Sequence, residues 1–129
     1  MLREQQGQET FRPGQREGAG KGAFCNSGLR EIRFAGDSRL EKIDHCCFRN
    51  SMLRAVRIPD GVVELGAYAF YECGRLDWVR FGRDSRLRKI GELCFFRSYP
   101  RLVAPPPTVT CVEGGAFSSI RAVYLEDAG

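Results

Sequence analysis

Ile58-Pro59-Asp60-Gly61-Val62-Val63-Glu64-Leu65-Gly66-Ala67-Tyr68-Ala69-Phe70-Tyr71-Glu72-Cys73-Gly74-Arg75-Leu76 is the stretch on which the reading of this chain turns. It holds a turn sequence (Pro59-Asp60-Gly61), two apolar residues three apart (Val62, Leu65), a small residue followed by Phe (Ala69-Phe70), and a Leu (Leu76). Pro presets φ and Asp and Gly tolerate the reversal, so the turn assignment has a mechanism. The same order recurs on both sides. Small-Phe pairs fall at Ala23-Phe24, Cys47-Phe48, Ala69-Phe70, Cys94-Phe95 and Ala116-Phe117, and successive Phe residues lie 24, 22, 25 and 22 apart. A period of this size marks a solenoid.

The register extends residue by residue. The first unit runs Phe24, Leu29, Ile32, Phe34, Leu40, Ile43, and the third runs Phe70, Leu76, Val79, Phe81, Leu87, Ile90. Both carry the phrase Asp-Ser-Arg-Leu, at Asp37–Leu40 and Asp84–Leu87. The second unit, Phe48, Leu53, Val56, Ile58, Val62, Leu65, replaces that connection with the shorter turn. In the fourth, Leu102 leads into Pro105-Pro106-Pro107 before the pattern recovers at Val109 and Val112. Proline cannot donate to a strand ladder, so a short or missing strand is expected there. The fifth, Phe117, Ile120, Val123, Leu125, stops after its first half. About four and a half units thus cover residues 23–127.

One unit cannot bury its own apolar side, but stacked units align Phe over Phe and Leu over Leu. In Glu31-Ile32-Arg33-Phe34 apolar and charged residues alternate, as in a strand with one buried face. The expected fold is therefore a repeat solenoid, mostly β, with short turn or 3₁₀ segments and a parallel sheet along one face. The second half of each unit (Leu40/Ile43, Val62/Leu65, Leu87/Ile90, Val109/Val112) reads as either a second short strand or a helical turn. No window keeps a 3.6-residue apolar stripe for three turns, so long helices are not expected.

The quoted stretch resembles the BspA-like leucine-rich repeat, whose unit reads roughly I-P-x-x-V-x-x-I-G-x-x-A-F-x-x-C-x-x-L. The match is close over the second and third units, good in the first, poor around Pro105–Pro107 and absent from residues 1–22. The resemblance implies a curved, sheet-lined leucine-rich-repeat solenoid, often a surface or secreted protein that binds host or matrix proteins, with no catalytic residues to transfer.

Composition bounds the rest. The chain has 129 residues, enough for one domain, and 43% are apolar. Its net charge is +4, with Arg outnumbering Lys 17 to 3. No apolar run approaches the length of a membrane span, about 20 residues. The N-terminus has no h-region, so no signal peptide is expected. Residues 1–22, rich in Gly, Gln, Arg and Glu, read as a flexible, disordered lead-in or as the edge of a fragment.

Six cysteines and one histidine invite a metal or disulfide reading, and the register argues against both. Cys47 and Cys94 stand where other units have Ala, so they are small buried residues. No C-x-x-C pair occurs and His45 has no ligand cluster around it. Free structural thiols are expected, which fit a reducing compartment. The resemblance points instead to the cell surface, and localisation stays open between the two.

Function is sought on the outward strand positions. One column is Glu31, Ala55, Trp78 and Ala122; the next is Arg33, Arg57, Arg80 and Tyr124. Arg and Trp are the types most enriched at binding hot spots. The candidate binding residues are therefore Arg33, Arg57, Arg80, Trp78, Tyr124 and Glu31, for a protein partner or an acidic ligand. The plainer alternative is an arginine column that keeps a sheet face solvated. Arg30, Arg54 and Arg121 widen the basic zone and Asp77 interrupts it.

Catalysis is not expected. Gly14–Gly22 has the wrong spacing for a phosphate loop, and Gly22 stands where Ser or Thr would hold magnesium. His45 between Asp44 and Cys46 is no triad, because adjacent side chains point apart. No cofactor is implied. Two further readings remain: weak polyanion or nucleic-acid binding through the arginines and aromatics, and a segment of a longer solenoid whose open ends associate with a partner or a second copy.

Overall fold

The computed structural model describes residues 8–11 (backbone), 20–36 and 38–117. Its strands are β1 (Gln8–Phe11), β2 (Glu31–Phe34), β3 (Lys42–Ile43), β4 (Ala55–Ile58), β5 (Glu64–Leu65), β6 (Trp78–Phe81), β7 (Lys89–Ile90), β8 (Leu102–Val103) and β9 (Cys111–Val112). Every pairing is parallel. No helix occurs among the described residues. The chain is a β-solenoid in which each unit contributes one strand to a first side and a shorter one to a second.

The first side carries β1–β2 and, separately, β4–β6–β8; the second carries β3–β5–β7–β9. The second half-unit is thus a two-residue strand, not a helical turn. One inward residue per strand (Ile43, Leu65, Ile90) is fully buried, and its outward neighbour remains half-buried. Two residues suffice because the strands are laddered to their copies, β5 and β7 on both edges.

The third side is a stack of turns around the small-Phe pairs, and its bonding follows a rule. Alternate amides bond within the turn and to the next unit. In the second unit Cys47 and Arg49 donate back to Asp44 and Cys46, three residues earlier. Cys46, Phe48 and Asn50 donate instead to Ala67, Ala69 and Tyr71 of the following unit. The pattern repeats around Phe24, Phe70 and Phe95. To turn this tightly, each described unit places two residues four apart in the left-handed region: Gly22 and Asn26, Cys46 and Asn50, Tyr68 and Glu72, Leu93 and Arg97. For residues with a Cβ this costs about 1–2 kcal/mol each. Complete pairing of the neighbouring amides holds them there.

Inside the turns the Phe residues form a continuous stack. Ring centroids are 5.3 Å apart for Phe24–Phe48, 5.4 Å for Phe48–Phe70, 5.3 Å for Phe70–Phe95 and 5.8 Å for Phe95–Phe117. The planes lie within 13° of parallel. Three residues after each of the first four Phe residues comes Ser or Cys: Ser27, Ser51, Cys73 and Ser98. Ser98 donates to the Phe70 carbonyl and accepts from the Cys73 amide at 2.8 Å, and the Cys73 thiol lies 3.0 Å from the Phe48 carbonyl. Cys73 therefore does what Ser does in neighbouring units.

One reading of the register changes. Leu102 does not occupy the repeat's Leu position. It pairs with Trp78, two places further on, and by the same register the buried Pro100 stands opposite Leu76. The fourth strand is two residues long and ends before Pro105, as expected from the prolines. Gln8–Phe11, inside the supposed disordered lead-in, pairs with Glu31–Phe34 residue for residue. The remainder of the fifth unit, with Ile120, Val123 and Leu125, lies outside the described residues.

All six thiols are unpaired. Burial pushes the Cys47 thiol from its ordinary 9.0 up to about 12. It pushes Cys94 further and raises Cys73 in the same direction. A thiol whose folded pKa is raised binds its proton more tightly than in the unfolded chain. Its contribution is complete below about pH 9 and is lost as pH rises toward 12.

Two outcomes are expected. In urea titrations at neutral pH, Phe70→Ala costs about 3–5 kcal/mol. Gly91→Ala costs about 1–3 kcal/mol, since a Cβ there would lie 2.5 Å from the Ala67 amide nitrogen; Gly28→Ala, with nothing within 4 Å of the new atom, stays within about 0.5 kcal/mol. From pH 9 to 11 stability falls, and the fall is shallower in Cys47→Ala/Cys94→Ala by up to ~1.4 kcal/mol per pH unit for each thiol removed. An identical alkaline slope in both proteins would refute the thiol account.

Candidate binding face on the parallel sheet

The geometry of β4 and β6 sets the face. Val56 and Val79 turn into the core, which forces Arg57 and Arg80 outward. The register pairs Arg57 with Arg80 and Ala55 with Trp78. Neighbouring parallel strands lie about 4.8 Å apart, so two guanidinium groups spring from adjacent positions. Neither forms a salt bridge among the described residues, although the Asp60 carboxylate and the Arg57 guanidinium both sit against Gly82. The Arg80 guanidinium lies 4.8 Å from the centre of the Trp78 ring, which keeps the half-buried indole beside the basic column. On the other flank Trp78 meets Leu102 of β8. An apolar row (Ala55, Trp78, Leu102) thus runs beside the arginines. Leu102 was missed in the sequence because Pro100 had not been recognised in the Leu position.

The expected ladder of three arginines is not continuous. β2 belongs to a separate sheet from β4, so Arg33 is not registered against Arg57. Arg33 approaches the Glu31 carboxylate of its own strand at 3.7 Å. Glu31 therefore offsets one arginine and leaves the other two. Tyr124, Ala122 and Arg121 lie outside the described residues.

The next row behaves differently. Arg101 donates to both Asp77 oxygens, at 2.6 and 2.8 Å, and this fork holds the Asp77 carboxyl below its ordinary value. Asp77, read as an interruption of the basic row, is in fact neutralised by a residue of the following unit. The second sheet is balanced as well: Lys42 reaches Glu64 at 3.8 Å, and Lys89 reaches Glu113 at 3.6 Å. Like charges opposite one another on neighbouring strands are destabilising, and opposite charges the reverse. Arg57 and Arg80 depart from the pairing found on the second sheet.

The turn side gathers a group that sequence reading did not single out. Tyr68 meets His45 edge-on at 5.6 Å and Tyr71 at 5.3 Å, and Tyr71 stacks on Phe96 at 5.8 Å. Arg49 covers Tyr71 and Arg97 covers Phe96. The signal was present at fixed distances from the ladder Phe. It became readable only once the left-handed turn residues showed which positions face out.

Among the described residues no group of three or more His, Cys, Asp or Glu is placed to hold a metal ion. No helix among them is long and apolar enough to cross a membrane.

The family model "BspA type Leucine rich repeat region (6 copies)" matches residues 18–126. No curated protein matches the sequence significantly. Among solved structures the chain is similar to the crystal structure of the pneumococcal vaccine antigen PcpA, with a TM-score of 0.79 and 26% identity. The match covers 83% of this chain and 27% of that one, so this chain corresponds to about a quarter of the antigen's length.

The Asp77–Arg101 fork gives a direct check. In Arg101→Gln the Asp77 carboxyl should titrate close to its ordinary 3.8, above its value in the parent protein. Carboxyl-detected NMR reads both. The depressed carboxyl favours the folded state above pH 3.8, and that contribution fades as pH falls through the folded value.

Proposed function

The chain belongs to the BspA-type leucine-rich-repeat family, and we propose that it is a non-catalytic interaction module whose sheet face takes an acidic surface of a protein partner. The observation that carries this reading is the pairing of Arg57 with Arg80 on adjacent strands, neither of them in a salt bridge among the described residues. Such a pair is unfavourable alone and becomes favourable against carboxylates. Trp78 and Leu102 supply apolar area beside it, matching the mix of charge and aromatic surface found at binding hot spots. Repeat solenoids typically present extended surfaces to partners. That a structural neighbour is a vaccine antigen supports a partner-facing role for this repeat type.

The test compares the parent protein with Arg57→Glu/Arg80→Glu, both shown to be folded by circular dichroism, in affinity capture followed by titration of each captured protein. A partner of the face should lose at least about tenfold in affinity in the variant, or about 1.4 kcal/mol. Equal capture by both proteins would leave the arginines as a solvation device. A steep linear fall of log affinity with log salt, accompanied by recovery of nucleic acid, would favour a polyanion over a protein.

A further inference from the structure

The corner between β6 and β7 carries the largest net charge of any ten-residue stretch of the chain. From Arg80 to Lys89 there are five cations and one acid, Asp84. Two of the cations are engaged: Arg80 lies over Trp78, and Lys89 reaches Glu113 at 3.6 Å. The other three, Arg83, Arg86 and Arg88, are exposed and form no salt bridge among the described residues.

The register explains why these three stay uncompensated. On the second side the row that holds Lys89 also holds Glu64. The row before it sets Arg88 between two uncharged residues. The Arg88 amide donates to the Val63 carbonyl at 2.9 Å, and the Thr110 amide donates to the Arg88 carbonyl at 2.9 Å. Extending the same register sets Arg86 between Gly61 and Thr108. The matching corner of the next unit, Ala104–Cys111, has no charged residue. Two acids belong to this region. Asp84 offsets one arginine of the corner, and the Asp60 carboxylate sits against Gly82 beside Arg57. The excess therefore remains positive, and it lies on the second side, away from the apolar row of Trp78 and Leu102.

The same surface has no rings. Residues 60–67, 82–94 and 104–116 contain no Phe, Tyr or Trp. Single-stranded nucleic acids are held largely by bases stacked on aromatic side chains, and this surface offers none. It offers guanidinium forks, whose planar donors match oxyanions, and beside them the exposed Thr110. Repulsion among clustered arginines is relieved when a polyanion replaces small counterions.

We infer that this corner is a docking site for a sulfated polysaccharide, whose sulfates meet Arg83, Arg86 and Arg88 and whose hydroxyl groups meet the Thr110 side of the row. The site is separate from the proposed protein-binding face. Arg57 and Arg80 project from the first sheet, whereas Arg86 and Arg88 lead into β7 of the second. Either surface can therefore fail its test without the other.

The probe is a fluorescein-labelled heparin octasaccharide, followed by anisotropy at physiological ionic strength. The test variant is Arg83→Ser/Arg86→Ser/Arg88→Ser. The control, Lys21→Ser/Arg49→Ser/Arg75→Ser, removes the same charge from exposed positions elsewhere. Circular dichroism checks that both are folded. The octasaccharide should bind the parent protein saturably, lose at least about tenfold in the test variant and change less than about twofold in the control. The fall of log affinity with log salt should be shallower in the test variant. A chemically desulfated octasaccharide should not compete. No measurable binding to the parent protein, equal loss in both triple variants, or competition by the desulfated chain overturns the inference. Tighter binding of oligothymidylate or duplex DNA of matched charge overturns it in favour of nucleic acid. A larger loss in Arg57→Glu/Arg80→Glu than in the test variant also overturns it, by moving the polyanion to the sheet face.

Discussion

Every feature of this molecule depends on the register that stacked turns impose on successive units. Alternate amides bond within a turn and to the next one, which locks each unit onto its neighbour at a single offset. The parallel Phe rings then fall into contact at 5.3–5.8 Å. The left-handed residues at Cys46, Tyr68, Glu72, Leu93 and Arg97 are unfavourable locally and persist because the pairing around them is complete. Gly66 and Gly91 complete the constraint, since backbone from the preceding unit occupies the space a Cβ would need.

That register has an electrostatic consequence. Equivalent positions become neighbours on a column, so the charge at one repeat position is either cancelled or multiplied along the stack. On the second sheet Lys42, Glu64 and Lys89 alternate in sign, and Glu64 and Glu113 are close enough to pair with lysines. On the first sheet Arg57 and Arg80 repeat the same sign. Both columns arise from the same geometry, and only the choice of side chain distinguishes a neutral wall from a charged one.

The family's shared unit and this chain's departures from it have separate consequences. The shared part, with its small-Phe pairs and inward aliphatics, builds the core and explains the likeness to a larger bacterial antigen. The departures lie along the first side: Pro100, buried in a Leu position, and Arg at two successive outward positions. The two arginines are the features on which the proposed binding face rests.

The residue pattern alone was enough to establish the solenoid, one parallel sheet, the Phe stack and the burial of Cys47 and Cys94, because spacing survives translation into a stack one unit at a time. It also foretold the short fourth strand, because proline acts on its own backbone. Decisions that depend on how two units meet were not legible. The pairing of Leu102 with Trp78 follows from Pro100 being buried opposite Leu76. The neutralisation of Asp77 by Arg101 joins residues 24 apart. The placing of β2 and β4 in separate sheets is likewise settled between units. The sequence determined the unit and its period; the tertiary structure decided which neighbours touch, because inter-unit packing and hydrogen bonding set the offset between coils.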